Sequence, residues 1–404
     1  MRLFLVIFAA AAFLAAGGPA VLAQGEFPLK YVVAEENDPL TSSGMSYYGG
    51  TAEQPPDIKV LPKGISGNLR YFTSVPVGNK GIWAVLELSS PPKLYVDVPG
   101  TAAGRVAGDL SAVAPLVGKA SGSQCTYGPI DVPLGDEKKV VIAKVLFVSV
   151  GNNQILGGRA AGYMAGDVKL GGQTYRVAVF DKDLNGRYES AFGADGKIVP
   201  WWRADAIAID AGQDGKFSRG GDGSEIMPLV KAVCVKDVYY RVQVAPDGSS
   251  IKFEKYEPKM GTLDIGAAAS LMALSETGIH SLSGSDGKWQ VPEGKYLGES
   301  LSIAKTDADG KEWRLMAASV GPLENFEVRG GQATAIKIGP PLTLKVDAER
   351  SESGRIALNL ALAGKGGETY SVGLRKGTSS LPPPKVKVLD ASGKVLAEGN
   401  SEYG

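Results

Sequence analysis

The sequence predicts an all-β protein, and three observations carry that prediction. Glycine and proline are abundant, at 54 and 24 of 404 residues, and many glycines follow Asp in short polar turns. Segments rich in Val, Ile, Tyr and Thr, with partial two-residue alternation, flank those turns. Helical periodicity with caps is scarce. The expected architecture is several small antiparallel β-sandwich or β-barrel-like domains in tandem after a signal peptide.

The elements follow in chain order. "MRLFLVIFAAAAFLAAGGPAVLAQ" has one charge at Arg2, an apolar run from Leu3 to about Ala16, and small residues at Val21 and Ala23 before Gln24. That is the layout of a secretory signal peptide over residues 1–23. The run falls short of the roughly 20 residues that span a bilayer, an uncleaved anchor being the competing reading. No second run of membrane length follows, so no integral membrane segment is expected after cleavage. The expected location is secreted, periplasmic or at the cell surface.

Lys+Arg and Asp+Glu are both 43, a balance that offers no electrostatic argument for nucleic acid or anionic lipid. Apolar residues make up 44%, ample for buried cores. Strands are expected in 139–150, 174–180, 238–244, 334–339, 342–348 and 385–391. Asp-Gly pairs at Asp195, Asp214, Asp222, Asp247, Asp286 and Asp309 read as hairpin turns of type I′, which need positive φ at both central positions. "DIGAAASLMALSE", 264–276, is the one expected helix.

Prolines at 256–261 and 338–344 suggest linkers. The units are then 24–160, a β-rich domain; 161–258, a β domain with acidic loops that packs with the first or stands alone; 259–340; and 341–404, a small Ig-like sandwich. A weak repeat runs through 93–105, 177–188 and 206–217, each an apolar strand ending in Asp before a Gly-containing loop.

The second copy, "VFDKDLNGRYES", carries the candidate site. Alternate residues of a tight loop point inward, so Asp181, Asp183 and Asn185 can converge on one calcium ion, with Gly186 permitting the reversal. The backbone carbonyl of Arg187 and the side chain of Glu189 supply further oxygens. The stretch matches the first half of an EF-hand loop. The twelfth position is Phe192 and a strand precedes the loop, so the second half departs from it. The expected completing ligands are Asp210 and Asp214 of the third copy, bridging two loops, with Asp205 and Asp222 as alternatives. Equally open is an acidic turn without metal, because Asp and Asn side chains bond nearby backbone N–H groups. Asp307 and Asp309 read as a hairpin turn.

Other chemistry is thinly represented. His280 is the single histidine and reads as an ordinary strand or loop residue; no G-x-S-x-G elbow or P-loop accompanies it. Cys125 and Cys234 form one disulfide or remain two thiols. Trp201 and Trp202, adjacent on an extended segment, face opposite ways. One of them either covers a domain seam or offers a sugar-stacking platform.

"GDVKLGGQTYRVAVFDKDLNGRY" with "DAIAIDAGQDGKF" resembles large secreted bacterial β proteins, and "SLSGSDGKWQVPEGKY" resembles transthyretin-like modules, the regulatory domains found beside carboxypeptidases. Neither pattern brings catalytic residues. The resemblance implies a non-enzymatic exported module that engages a surface polymer or another exported protein, with calcium loops as staples. The alternative is a polysaccharide hydrolase with an unidentified carboxylate pair.

Overall fold

The computed structural model describes residues 25–35, 38–43, 46–77, 80–98, 108–121, 124–134, 137–147, 154–193, 198–201, 203–219, 225–350, 356–371, 375–377, 379, 380, 382 and 385–400. The expected leader, Asp195, Trp202 and Asp222 lie outside them. Among the described residues the chain is all-β, with two single 3-10 turns, Thr41–Ser43 and Gly321–Leu323. Its several small sheets do not close into a barrel. Among the described residues no helix is long and apolar enough to cross a membrane.

The centre is a five-stranded sheet, ordered Ile226–Pro228, Ala206–Ile209, Gln173–Phe180, Gly162–Leu170 and Lys30–Val33. Successive side chains of a strand face opposite sides, and here both sides are buried. Tyr175, Val177, Val179, Ile207 and Ile209 enter one core, while Ala178, Phe180, Ala206 and Ala208 enter another. Hence "VAVF" and "AIAI" read as unbroken apolar runs rather than as alternation. On the first face lies the sheet Gly25–Pro28, Ser250–Tyr256, Val238–Val244 and Ala232–Val235, which contributes Val233, Val242, Ile251 and Phe253. On the second lie residues from two sheets of the preceding segment, among them Phe72, Leu86, Leu94, Tyr127 and Leu156.

The first two strands, Gly25–Pro28 and Lys30–Val33, pair with Ser250–Tyr256 and Gly162–Leu170 respectively. Residues 25–33 are thereby built into the sheets of residues 162–256, a long-range pairing that no local pattern announces.

A third core forms between a three-stranded sheet, Lys288–Pro292, Met260–Asp264 and Ala333–Ala335, and a larger sheet containing Gly278–Gly284, Ala269–Ser275, Gly294–Thr306 and Glu312–Ser319. The expected helix at 264–276 is instead the end of one strand and the whole of another, Ala269–Ser275. Gly266, at φ +68, breaks the backbone there, in a conformation that favours glycine. Beyond it, Ala269, Leu271 and Ala273 face the third core, and both edges of the strand are hydrogen-bonded. Pairing on two sides overrides the modest helical preference of Ala and Leu.

The segment after Pro340 extends the larger sheet. Glu312–Ser319 pairs with Thr369–Tyr370, which pairs with Ile356–Ala363, which pairs with Thr343–Arg350. The fully buried Glu368 ties the linker down: its carboxylate accepts from Gly339 N at 2.5 Å, Gly366 N at 3.0 Å and the Tyr370 hydroxyl at 3.0 Å.

The turns differ from the expected chemistry. At Asp247, Asp286 and Asp309 only the glycine has positive φ, so these are not type I′. Asp247 and Asp286 each accept the N–H two residues on, at 3.0 and 3.1 Å, a local bond that makes Asp a turn former. In the 307–311 turn it is Asp307 that accepts, from Asp309 N and Lys311 N. Pairs with positive φ at both positions are Gly171-Gly172 and Lys236-Asp237.

Cys125 and Cys234 are both free thiols. Cys125 lies in the first core and Cys234 is exposed on a strand of another sheet. Trp201, half-buried, packs against the second core, with the Lys182 ammonium 5.5 Å from its ring centre. It also bonds Glu299 of the following unit. That seam continues through Lys231–Glu276 at 2.6 Å and Ala232 N to Glu276 O at 2.8 Å.

His280 is partly buried near the same seam. Its Nε2 lies 2.8 Å from Ser275 Oγ and 3.1 Å from Thr277 Oγ1, and its ring centre is 5.4 Å from that of Tyr296. Desolvation lowers its pKa to about 4. The unfolded chain, with His near 6.5, takes up the proton first, so this contribution is present above about pH 6.5 and lost as pH falls toward 4. We predict that His280→Gln removes on the order of 1–2 kcal/mol of the stability difference between pH 7 and pH 5, measured by urea unfolding. An unchanged difference would show that His280 is not the titrating group.

Candidate metal centre

Two acidic loops leave the central sheet, and they are built alike. The first begins at Asp181 after Phe180, the second at Asp210 after Ile209. Positive φ recurs at the fourth residue, Leu184 (+63) and Gln213 (+57), and at the sixth, Gly186 (+80) and Gly215 (+81). An aromatic ring is buried at the eighth, Tyr188 and Phe217. In each, the leading Asp accepts the sixth residue's N–H at 2.8 Å. The fifth residue, Asn185 or Asp214, accepts the N–H two positions on, at 2.7 or 2.9 Å.

A distant carboxylate closes each loop from the residue preceding the next strand. Asp205 accepts from Lys182 N at 3.0 Å and Glu189 N at 2.8 Å. Glu225 accepts from Gly212 N at 2.7 Å, and from Ser218 N and Oγ at 2.9 and 3.0 Å. The repeat seen in the sequence is therefore a repeat of strand, Asp loop and returning carboxylate. In the 93–105 copy the corresponding Asp97 is buried and accepts Gly108 N at 3.0 Å.

The expected bridge between the loops does not form. Gln173–Phe180 and Ala206–Ile209 are antiparallel, with Phe180 beside Ala206 and Val177 beside Ile209. The Asp181 loop thus lies at one end of the sheet and the Asp210 loop at the other. Five residues of strand at about 3.3 Å each place Asp210 roughly 16 Å from Asp205. Asp210 and Asp214 therefore cannot complete a site at Asp181. They serve their own loop, beside a cavity of about 440 Å³ lined in part by Gly212, Ser218, Glu225, Cys234 and Lys236.

What does converge is Asp181, Asp183 and Asp205, each offering a carboxylate oxygen, all within 4.8 Å of one another. Asp181 and Asp205 are buried and Asp183 is exposed. Asn185 lies alongside, but its side-chain N–H donates to Asp183 at 3.0 Å and its carbonyl oxygen is taken by Arg187 N. The Glu189 carboxylate turns outward to the Arg187 guanidinium at 3.6 Å, so Glu189 joins through its backbone N–H and not as a ligand. Arg187 contributes an N–H to Asn185 at 2.7 Å. The sequence signal for Asp205 is faint: an acidic residue immediately before an apolar strand, in the place that Glu225 occupies one hairpin later.

The electrostatics follow from three like groups in a partly dry site. Burial first, then the charge of Asp181, pushes the Asp205 carboxyl up to about 8. Lys182, buried with its ammonium donating to Trp201 O at 3.0 Å, is lowered to about 8, by desolvation first and then by Arg219. An all-oxygen donor set of this kind suits a hard divalent cation, and bound positive charge would favour the ionised form of Asp205 against the burial and the Asp181 charge that raise its pKa. The residues present therefore fit calcium, with Asp181, Asp183 and Asp205 as its protein carboxylates.

In comparisons with protein-family models, curated proteins and solved structures, the chain matches none.

In chelator, the raised Asp205 pKa means that the folded state holds a proton between about pH 4 and 8 that the unfolded state has lost. The contribution of Asp205 to stability therefore falls as pH rises through that window, opposing that of His280 below about pH 6.5 and standing alone above it. We predict that Asp205→Asn flattens this limb of the profile of melting temperature against pH. A wild-type profile that instead rises from pH 6.5 to 8 would rule out a protonated Asp205.

Proposed function

We propose that the protein is an exported, non-enzymatic module whose central sheet is clamped by calcium at the Asp181 loop, and that it engages a surface polymer or another exported protein. The observation that carries this reading is the meeting of Asp181, Asp183 and Asp205 from two segments separated by a long excursion. Calcium there would cross-link the start of the loop to the beginning of the next strand. That favours the folded arrangement, because the unfolded chain offers no assembled site. The leader supports export, and extracellular modules hold calcium with dissociation constants of about 0.1–1 mM. The two-sheet third unit supports the transthyretin-like reading of 259–340.

Thermal melts of the protein lacking only its leader, at pH 8, test the clamp. With a dissociation constant near ~0.1 mM, ~1 mM free calcium adds roughly 1.4 kcal/mol by mass action, or about 3–5 °C for a cooperative unit of this size. Asp183→Asn, at an exposed position, should keep the chelator melting point and lose the calcium shift. The double variant Asp181→Asn, Asp183→Asn should lose it as well. Equal melting with and without calcium would mean that the loop is a turn closed by backbone N–H groups alone.

A further inference from the structure

The hairpin of Thr343–Arg350 and Ile356–Ala363 ends the larger sheet with its outer edge open. Among the described residues, Thr343–Arg350 pairs only with Ile356–Ala363. The third strand reaches no further than Leu362 and Ala363, which face Tyr370 and Thr369. From Lys345 to Arg350 the ribbon is thus two strands wide, a form that is marginal in water. Its apolar row is well exposed: Leu344 is 55% and Val346 52% accessible. An open, straight, eight-residue edge without proline is a template for strand addition.

The edge sequence selects a second copy of itself. In an antiparallel pair related by a two-fold axis normal to the sheet, one residue faces its own counterpart, and each register can be judged by its charges. With Lys345 on the axis, Lys345 opposes its own counterpart; with Asp347 on the axis, Lys345 faces Glu349 twice but Asp347 opposes Asp347 directly at the centre. With Ala348 on the axis, Asp347 faces Glu349. With Val346 on the axis, Lys345 faces Asp347 twice, Leu344 faces Ala348 twice, and Val346 meets Val346. Opposite charges directly across a pair stabilise it and like charges destabilise it, and a two-fold contact doubles each effect. An edge protected against pairing carries one sign of charge; this one alternates Lys345 with Asp347, complementary to its own reversal.

We propose that Thr343–Arg350 is a homodimerisation edge, pairing antiparallel with the same strand of a second copy about Val346. The two ribbons then form one four-stranded sheet across the dimer, and the added strand covers the outer flanks of Leu344 and Val346. The proposal is independent of the calcium clamp, which lies on another sheet.

Sedimentation velocity over a dilution series, in chelator, tests it on the protein lacking only its leader. The wild type should dimerise reversibly. Lys345→Asp and Asp347→Lys should each weaken self-association by about tenfold or more, with melting temperatures unchanged because both positions are exposed. Mixed together, the two variants should form a heterodimer, since one edge then carries acid at both positions and meets an edge that carries base at both. The double variant, with the two charges exchanged, should regain wild-type association. A wild type that is monomeric at every concentration would overturn the proposal; this is the outcome expected if the chain's own terminal hairpin, 385–400, covers the edge. A dimer indifferent to both charge reversals would overturn it as well.

Discussion

The interaction on which the structure most depends is a buried or half-buried carboxylate accepting backbone N–H groups of a loop. The described residues hold no α-helix, so their backbone is satisfied through sheet ladders, and wherever the ladders stop the loops must find other acceptors or face water. Asp97, Asp181, Asp205, Asp210, Glu225 and Glu368 meet that need at buried positions. An ionised carboxylate in such a place trades its hydration for charge-assisted hydrogen bonds, stronger than neutral ones. Where the carboxylates stand apart, as at Asp210, this suffices. Where three crowd together, as around Asp205, the arrangement carries a strain of like charge that a proton or a cation can relieve.

The central sheet turns these local closures into an architecture. Because both its faces are buried, its strands cannot shift register without exposing one core or the other. The loops at its two ends inherit that rigidity. Small residues line one face, Ala165, Ala178, Ala206 and Ala208, and leave room for the large rings of Phe180, Tyr163 and Phe217. The opposite face is β-branched and mates with the sheet that the chain's own start completes. Carboxylates placed on such a frame are held at fixed separations, which is what a hard-cation site requires.

Much of this is legible in the residues. The strand class follows from β-branched alternation and Asp-Gly punctuation, and the fold is all-β. The likeness among the three strand-and-Asp segments is visible too, as is the Asp181 loop with its Gly186 reversal. The helix expected at 264–276 fails because Ala, Leu and Met are helix formers only by intrinsic preference, and hydrogen bonding to strands on both sides holds Ala269–Ser275 extended. The expected bridge from Asp181 to Asp210 fails for a related reason. Two loops that look adjacent along the chain lie at opposite ends of a sheet once the strand between them is antiparallel. Asp205 stands in the sequence only as an alternative ligand, since its role depends on the segment 182–204 returning beside Phe180.

By itself the sequence determined what is local: which stretches are extended, where they turn, and which loops can fold over a carboxylate, because those properties depend on φ/ψ preference and on hydrogen bonds spanning a few residues. The tertiary structure alone decided which carboxylates meet, which sheet faces are doubly buried, and that the chain's start pairs with strands more than a hundred residues away. Those outcomes rest on non-local strand pairing, whose partners are chosen by the fit of whole faces and not by any short stretch of residues.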